Sequence, residues 1–182
     1  MTAIEPLSGI RLHDCTEEEH AGAILDILND AIVTSTALYD YVPRPASAMV
    51  AWFATKRANG FPVIGAFDED GTLLGFASWG FFRTFPAYKY SVEHSVYVHK
   101  DHRGRKLGPL LMRTLVERAK AAGMHAMVGC IDASNEGSIQ LHKRLGFVHT
   151  GTMPQIAFKF GRWLDAAFYQ LTLETPNDPV DG

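Results

Sequence analysis

The stretch Val92–Leu111, VEHSVYVHKDHRGRKLGPLL, decides the fold. It opens as a strand, with Val92, Val96 and Val98 among β-favouring neighbours. It then passes through a basic, glycine-containing turn, Arg103-Gly104-Arg105-Lys106-Leu107-Gly108, and enters a helix. Pro109 is placed to start that helix, since proline suits a first helical position. Strand, glycine turn and helix together can aim backbone N–H groups and a helix N-terminus at a phosphate. Taken alone, such a turn is more often a plain connection between strand and helix.

Outward from this stretch the chain alternates strands and helices. Gly9 to His13 reads as a first strand. Thr16-Glu17-Glu18-Glu19 matches a capping box, and Ala21, Ile24, Leu25, Leu28, Ala31 and Ile32 recur at helical spacing, which predicts a helix from Glu17 to Val33. An ordered loop, TSTALYDYVPRP, leads to a second helix from Ser47 to Ala58. Phe61–Phe67 and Thr72–Phe81 are strands joined by the hairpin signal Asp68-Glu69-Asp70-Gly71. After the loop FFRTFPAYKY come the opening strand and its helix, which places Leu111, Leu115, Ala119 and Ala122 on one face and ends at Gly123. Met124–Ile131 reads as a buried strand; a helix entered through Asp132 to Asn135 runs to Leu145 and closes at Gly146. Phe147–Met153 and Ala167–Leu173 are the last strands, joined through IAFKFGRWLD. Hairpins and crossover helices both occur, so the expectation is one α/β domain over residues 1–174 with a mixed central sheet flanked by helices, followed by a frayed tail over 175–182.

Composition narrows the function. The 182 residues suit one domain with a sizeable core, and a net charge of -3 disfavours nucleic acid and anionic membrane as partners. The basic cluster from Lys100 to Lys106 is therefore local and fits a small polyanion. No apolar run reaches the length of a transmembrane helix, and the opening MTAIEPLSGI lacks the marks of a signal peptide. The two cysteines, Cys15 and Cys130, make no disulfide framework, so a reducing compartment, the cytoplasm, is expected. The patterns G-x-x-x-x-G-K-[ST], G-x-G-x-x-G and G-x-S-x-G are all missing, which sets aside the commonest nucleotide and hydrolase motifs. His99-x-x-His102, with no further ligands at metal spacing, points to no metal.

A second motif follows the first: Asn135-Glu136-Gly137-Ser138-Ile139-Gln140-Leu141-His142-Lys143-Arg144-Leu145-Gly146-Phe147. The pair, in this order and at this separation, resembles the GNAT superfamily of N-acetyltransferases. There the turn reads R/Q-x-x-G-x-G/A and the later helix N-x-x-(A/S)-x-x-(L/F)-Y-x-x-x-G-F. Arg103 and Gly108 match the ends of the first pattern, while Lys106 departs from its central glycine. The run YKYSVEHSVYV from Tyr88, the loop NDAIVTSTALYDY and the late FKFGRWLDAAFYQL look like the phosphinothricin and methionine-sulfoximine acetyltransferase branch.

That resemblance implies a GNAT fold, acetyl-CoA as cosubstrate and the α-amino group of a free amino acid analogue as acceptor. It implies that the backbone at Val96, Tyr97 and Val98 and the turn Arg103, Gly104, Arg105, Lys106, Leu107 and Gly108 hold the cofactor. Asn135 would bond its pantetheine and Ser138 would sit near its diphosphate. It also implies a homodimer, to which the exposed aromatic late segment would contribute. Glu93 stands at the branch's glutamate position, and His142 where other members carry an acidic tyrosine.

The chemistry agrees with these positions. Amide formation from a thioester needs a neutral amine, a polarised carbonyl and a proton for the departing thiolate. Glu93, set apart from Val92, Val96 and Val98 by strand alternation, is the candidate base, directly or through water. His142 would either protonate the thiolate or orient the pantetheine. Backbone N–H groups near Val96 and Val98 would bind the carbonyl oxygen. Arg83 could clamp the acceptor's carboxylate; its competing reading is a surface arginine stacked on Phe82 or Phe85. Thr36, Tyr39 and Tyr88 are candidate pocket walls, and Lys159 and Trp163 could close the pocket, even from a partner subunit; for these five, packing is an equal reading. Cys130 invites an acyl-cysteine, but buried cysteine is a common small hydrophobe and direct transfer is preferred. Two alternatives stand: another amine acceptor (protein N-terminus, lysine, polyamine), or a non-catalytic acyl-CoA-binding protein.

Overall fold

A computed structural model describes residues 7–181; residues 1–6 and 182, which include the start of the expected domain and the last residue of the expected tail, lie outside the described residues. Seven strands and four α-helices follow in the order β1 (Arg11–Asp14), α1 (Glu17–Thr34), α2 (Ser47–Ala58), β2 (Val63–Phe67), β3 (Leu73–Phe81), β4 (Ser91–Val98), α3 (Leu107–Ala121), β5 (Ala126–Asp132), α4 (Glu136–Arg144), β6 (Val148–Lys159) and β7 (Arg162–Thr172). The strands form one sheet in the order β1-β2-β3-β4-β5-β7-β6. It is mixed, as expected: β4 and β5 are parallel, while β1–β2, β2–β3, β5–β7 and β6–β7 are antiparallel.

Contacts divide the chain into two compact units. The first runs to Trp79 and resumes over Ser95–Leu115; the second takes Gly80–His94 and the chain from Val116 onward. In the first, α1 and α2 bury Ile24, Leu28, Met49 and Phe53 together with Phe67 and Phe76 of β2 and β3. The Oγ1 atom of Thr16 accepts from Glu19 N, which caps α1 as its sequence predicts. The reciprocal half of the capping box differs: Thr16 N donates to His20 Nδ1, 3.0 Å away, and not to Glu19. Gly75 lies so close to β4 that an added Cβ would stand 2.7 Å from the Tyr97 carbonyl oxygen and 3.1 Å from Val98 Cα. A side chain there would drive the two strands apart.

In the second unit, β5 pairs with β7 over seven residues, from Ala126↔Thr172 to Asp132↔Ala166. Its parallel ladder with β4 covers Ser91↔Ala126, Val92↔Met127 and Glu93↔Val128, although β4 continues to Val98 and β5 to Asp132. The segment expected to connect the last two strands is itself strand. β6 and β7 form a long hairpin that turns at Phe160-Gly161, with φ of 51° and 72°. Two consecutive positive φ values are the geometry of the tight hairpin turns that match strand twist. Pro154 hid this continuity. It sits beside a bulge where the register shifts between Met153 and Ala157, in the outermost strand, where proline is tolerated. Gln155, at φ 51°, donates its N–H there to Asp165 Oδ1 at 2.8 Å.

The helix after the basic turn also starts earlier than proline placement predicts. It begins at Leu107, so Pro109 is its third residue. That is still within the first turn, where a missing N–H removes no helical hydrogen bond; Leu110 N donates to Lys106 O at 3.3 Å. Beyond β7, Thr175 Oγ1 donates to Met124 O and Val180 N donates to Tyr90 OH at 3.2 Å.

Candidate active site

The turn after β4 has left-handed backbone at two positions. Lys106 has φ 61° and Gly104 φ 78°. A non-glycine residue in this left-handed region carries about 1–2 kcal/mol of strain, and Leu107, 2% exposed, anchors the turn from beneath by entering the core. Lys106 thus takes the left-handed conformation that glycine would adopt without strain. A cavity of about 310 Å³ opens against this turn, lined by Val98, His102, Arg103, Gly104 and residues 106–109. Asp30 of α1 holds two of the neighbouring cations, Lys100 Nζ at 3.8 Å and Arg103 Nη2 at 3.7 Å, with both basic side chains more than half exposed. Arg105 Nη1 lies 3.2 Å from His102 Nδ1. A concave, cationic turn at the start of α3 fits a diphosphate. The side chain of Tyr97 packs against the first unit's core, beside Phe76 at 5.5 Å between rings. In the same unit, Thr36 is half-buried and Tyr39 exposed. Their loop is tied down where Asn29 brackets Arg44, accepting from its N at 2.7 Å and donating to its O at 3.0 Å. Arg44 in turn holds Asp40 at 2.6 Å, so the loop's one acidic side chain is committed.

The second unit gathers the remaining candidates. Glu93 is half-buried on β4. Burial pushes its carboxyl above the usual carboxylate range, and the Arg83 guanidinium partly offsets this. The charge of Arg83 reaches Glu93, and its guanidinium lies over the Phe82 ring at 5.5 Å. Tyr88 meets the same Phe82 ring edge-on at 5.7 Å. Cys130, two residues beyond the partner of Glu93 on β5, has a thiol pushed up to about 11, by burial first and the Glu93 charge second. A thiol held protonated is a poor nucleophile, which agrees with direct transfer. Lys159 is buried, at 3% exposure, with Nζ 5.0 Å from the Phe160 ring, whereas Trp163 is 59% exposed.

At the entrance to α4, Asn135 Oδ1 accepts from Ser138 N at 3.1 Å, so Asn135 is the helix cap. Asp132 Oδ1 accepts from Ser134 N and Oγ, and its Oδ2 accepts from Arg162 Nη2 at 3.0 Å. In the last turn of the helix, His142 is 1% exposed. Its Nδ1 lies 2.7 Å from the Ser138 carbonyl oxygen and its Nε2 lies 2.9 Å from Nε2 of His94. Burial lowers the proton affinity of His142, partly offset by that backbone bond, and drives His94 down to about 3, with the neighbouring His142 as second cause.

His94 is a residue that motif reading missed. It lies beside Glu93 on β4, but alternation turns the two side chains to opposite faces. Gly129 was missed with it. A Cβ there would stand 2.7 Å from His94 Nε2 and 2.9 Å from His142 Nε2, so only glycine leaves room for the two rings. A glycine inside an apolar strand is the available signal for such a close approach.

Comparison with known proteins places the chain in a family. A profile of the Acetyltransferase (GNAT) family matches residues 23–147. The L-methionine sulfoximine/L-methionine sulfone acetyltransferase of Pseudomonas aeruginosa is 48% identical over 151 residues, 83% of this chain and 88% of that one. The L-amino acid N-acyltransferase MnaT of Escherichia coli is 42% identical, over 86% of this chain and 91% of that one. The structure of a GNAT superfamily phosphinothricin acetyltransferase from Sinorhizobium meliloti in complex with acetyl-CoA superposes with a TM-score of 0.89 at 34% identity, covering 94% of this chain and 92% of that one. With the profile spanning the turn, β4 and α4, and with relatives of this identity over most of its length, the chain belongs to the GNAT family of acetyltransferases.

Proposed function

We propose that the protein moves an acetyl group from acetyl-CoA to the α-amino group of an L-amino acid of the methionine sulfoximine, methionine sulfone or phosphinothricin type, by direct attack. The observation that carries this reading is Glu93 with Arg83: a half-buried carboxylate of raised proton affinity with a guanidinium in electrostatic reach. An α-amino acid presents the matching pair, an ammonium that must lose a proton and a carboxylate that seeks a cation. The names of the relatives at 48% and 34% identity supply the acceptor type.

In this reading Arg83 binds the acceptor's carboxylate and Glu93 takes the ammonium proton, directly or through water. The freed amine attacks the thioester carbon; the C–N bond forms, the C–S bond breaks, and the thiolate leaves to take up a proton. The backbone near Val96 and Val98 binds the carbonyl oxygen as it gains charge. Residues Arg103 to Gly108 cradle the diphosphate, with Ser138 assigned near it, and Asn135 bonds the pantetheine. Thr36, Tyr39, Tyr88 and Lys159 are assigned to the acceptor side. The working form is a homodimer: Val148, Met153, Ile156, Phe158, Phe160 and Trp163 are all large apolar residues exposed on the β6–β7 hairpin. The cytoplasm is the assigned compartment; both cysteines are free, and among the described residues no helix is long and apolar enough to cross a membrane.

The test is thiol release from acetyl-CoA against a panel of methionine sulfone, methionine sulfoximine, phosphinothricin, the common amino acids, polyamines and N-terminal peptides. Turnover confined to the sulfone, sulfoximine and phosphinic acceptors is the expected result. Faster turnover of a polyamine or peptide would replace the acceptor, and tight CoA binding with no turnover of any amine would remove the enzyme.

A further inference from the structure

The buried histidine pair has a proton arrangement that the hydrogen bonds determine. A carbonyl oxygen only accepts, so the 2.7 Å contact to Ser138 O requires the proton of His142 to sit on Nδ1. Burial favours the neutral form of both rings. His142 Nε2 is then a bare lone pair, and the 2.9 Å contact requires His94 to donate its Nε2–H to it. His94 Nδ1 becomes an acceptor, buried and without a hydrogen-bond partner among the described residues. The ring centroids lie 4.9 Å apart with their planes 24° from parallel, Phe147 closes edge-on against both, and Gly129 gives up its side-chain space to them.

We infer that His94 is a positioning residue for the acetyl-CoA site. The directed chain His94 Nε2–H to His142 Nε2, then His142 Nδ1–H to Ser138 O, ties β4 to the first turn of α4. That turn carries Asn135 and Ser138, and the inference rests on their assignment above to the cofactor, Asn135 to its pantetheine and Ser138 to its diphosphate. A His142 ring fixed in this way has no N–H left for a departing thiolate, so the pair orients the cofactor arm and does not protonate it.

Two measurements test this separately from the overall reaction. Long-range 15N–1H correlation spectra of the unliganded protein at neutral pH should show His142 as the neutral Nδ1–H tautomer and His94 as the neutral Nε2–H tautomer. A His142 proton on Nε2, or an imidazolium at either ring, would overturn the inference whatever the acceptor proves to be. In the second, His94→Phe keeps ring volume and removes the donor. It should raise the Kd for CoA and the KM for acetyl-CoA about tenfold, the equivalent of one hydrogen bond, with the acceptor KM within about twofold. His94→Gln, whose side-chain amide can donate from nearly the same place, should recover most of the loss. Equal CoA affinity in all three proteins, or a glutamine variant no better than phenylalanine, would reduce His94 to packing. Should the phenylalanine variant fail to fold, the glutamine variant and the tautomer spectrum still decide.

Discussion

Replacing Glu93 with glutamine separates the two consequences of burying a carboxylate. The side chain keeps its size and loses its charge and its ability to take a proton. Loss of a general base costs about a hundredfold to ten-thousandfold in rate, or about 3–5 kcal/mol of barrier, so kcat/KM for the amino acid should fall by that much with CoA affinity nearly unchanged. In the wild type, turnover should rise with pH as Glu93 deprotonates, through a midpoint above the usual carboxylate range because burial disfavours the charged form. Arg83 pulls that midpoint down, so Arg83→Met should move the acid limb to higher pH as well as weaken acceptor binding. The glutamine variant should lack the limb, and its deficit should be largest where wild-type Glu93 is fully ionised. Stability should move the other way. A carboxyl whose folded proton affinity exceeds its unfolded one binds more protons in the native state. Its contribution is therefore fully present at pH below the unfolded value and is lost as pH rises through the folded one. Glutamine does not suffer this loss, so Glu93→Gln should unfold at higher urea than wild type near neutral pH. Thiol-release kinetics over about pH 5 to pH 9, a span that brackets a raised carboxyl, and paired urea titrations supply both readouts. A glutamine variant that keeps wild-type kcat/KM, or one that retains the acid limb, would place the base elsewhere.

Two further outcomes follow from other parts of the fold. Lys106 at φ 61° stores backbone strain, so Lys106→Asn, which tolerates this region, should gain about 0.5–1 kcal/mol and a β-branched Lys106→Val should lose about 1 kcal/mol or more; an unchanged urea midpoint across the series would mean that the turn relaxes. Trp163, 59% exposed on the hairpin, is assigned to a subunit contact, so Trp163→Glu should convert a dimer to a monomer in sedimentation at micromolar concentration; a monomeric wild type would reject the contact.

Much of this protein is legible locally. The α2 bounds, Ser47–Ala58, and the Thr16 cap of α1 follow from helical period and capping chemistry, each encoded within a few residues. The turn Arg103 to Gly108 and the Asn135 cap are likewise local, and their order along the chain was enough to name the family. Other features were not legible in this way. The β6–β7 hairpin was obscured because Pro154 looks like a strand breaker until the strand is known to lie outermost in the sheet. The capping box had its partner replaced because His20, and not Glu19, reaches Thr16 N.

The site divides along the same line. Sequence alone marked Glu93 and His142 through their places in motifs. Only the tertiary structure decided that they stand among different neighbours, Glu93 with Arg83 and Cys130, His142 with His94 and Gly129. The physical reason is register. A one-residue shift of β4 against β5 would exchange the faces of Glu93 and His94, and that register is set by the strands and helices together, not by the residues it brings into contact.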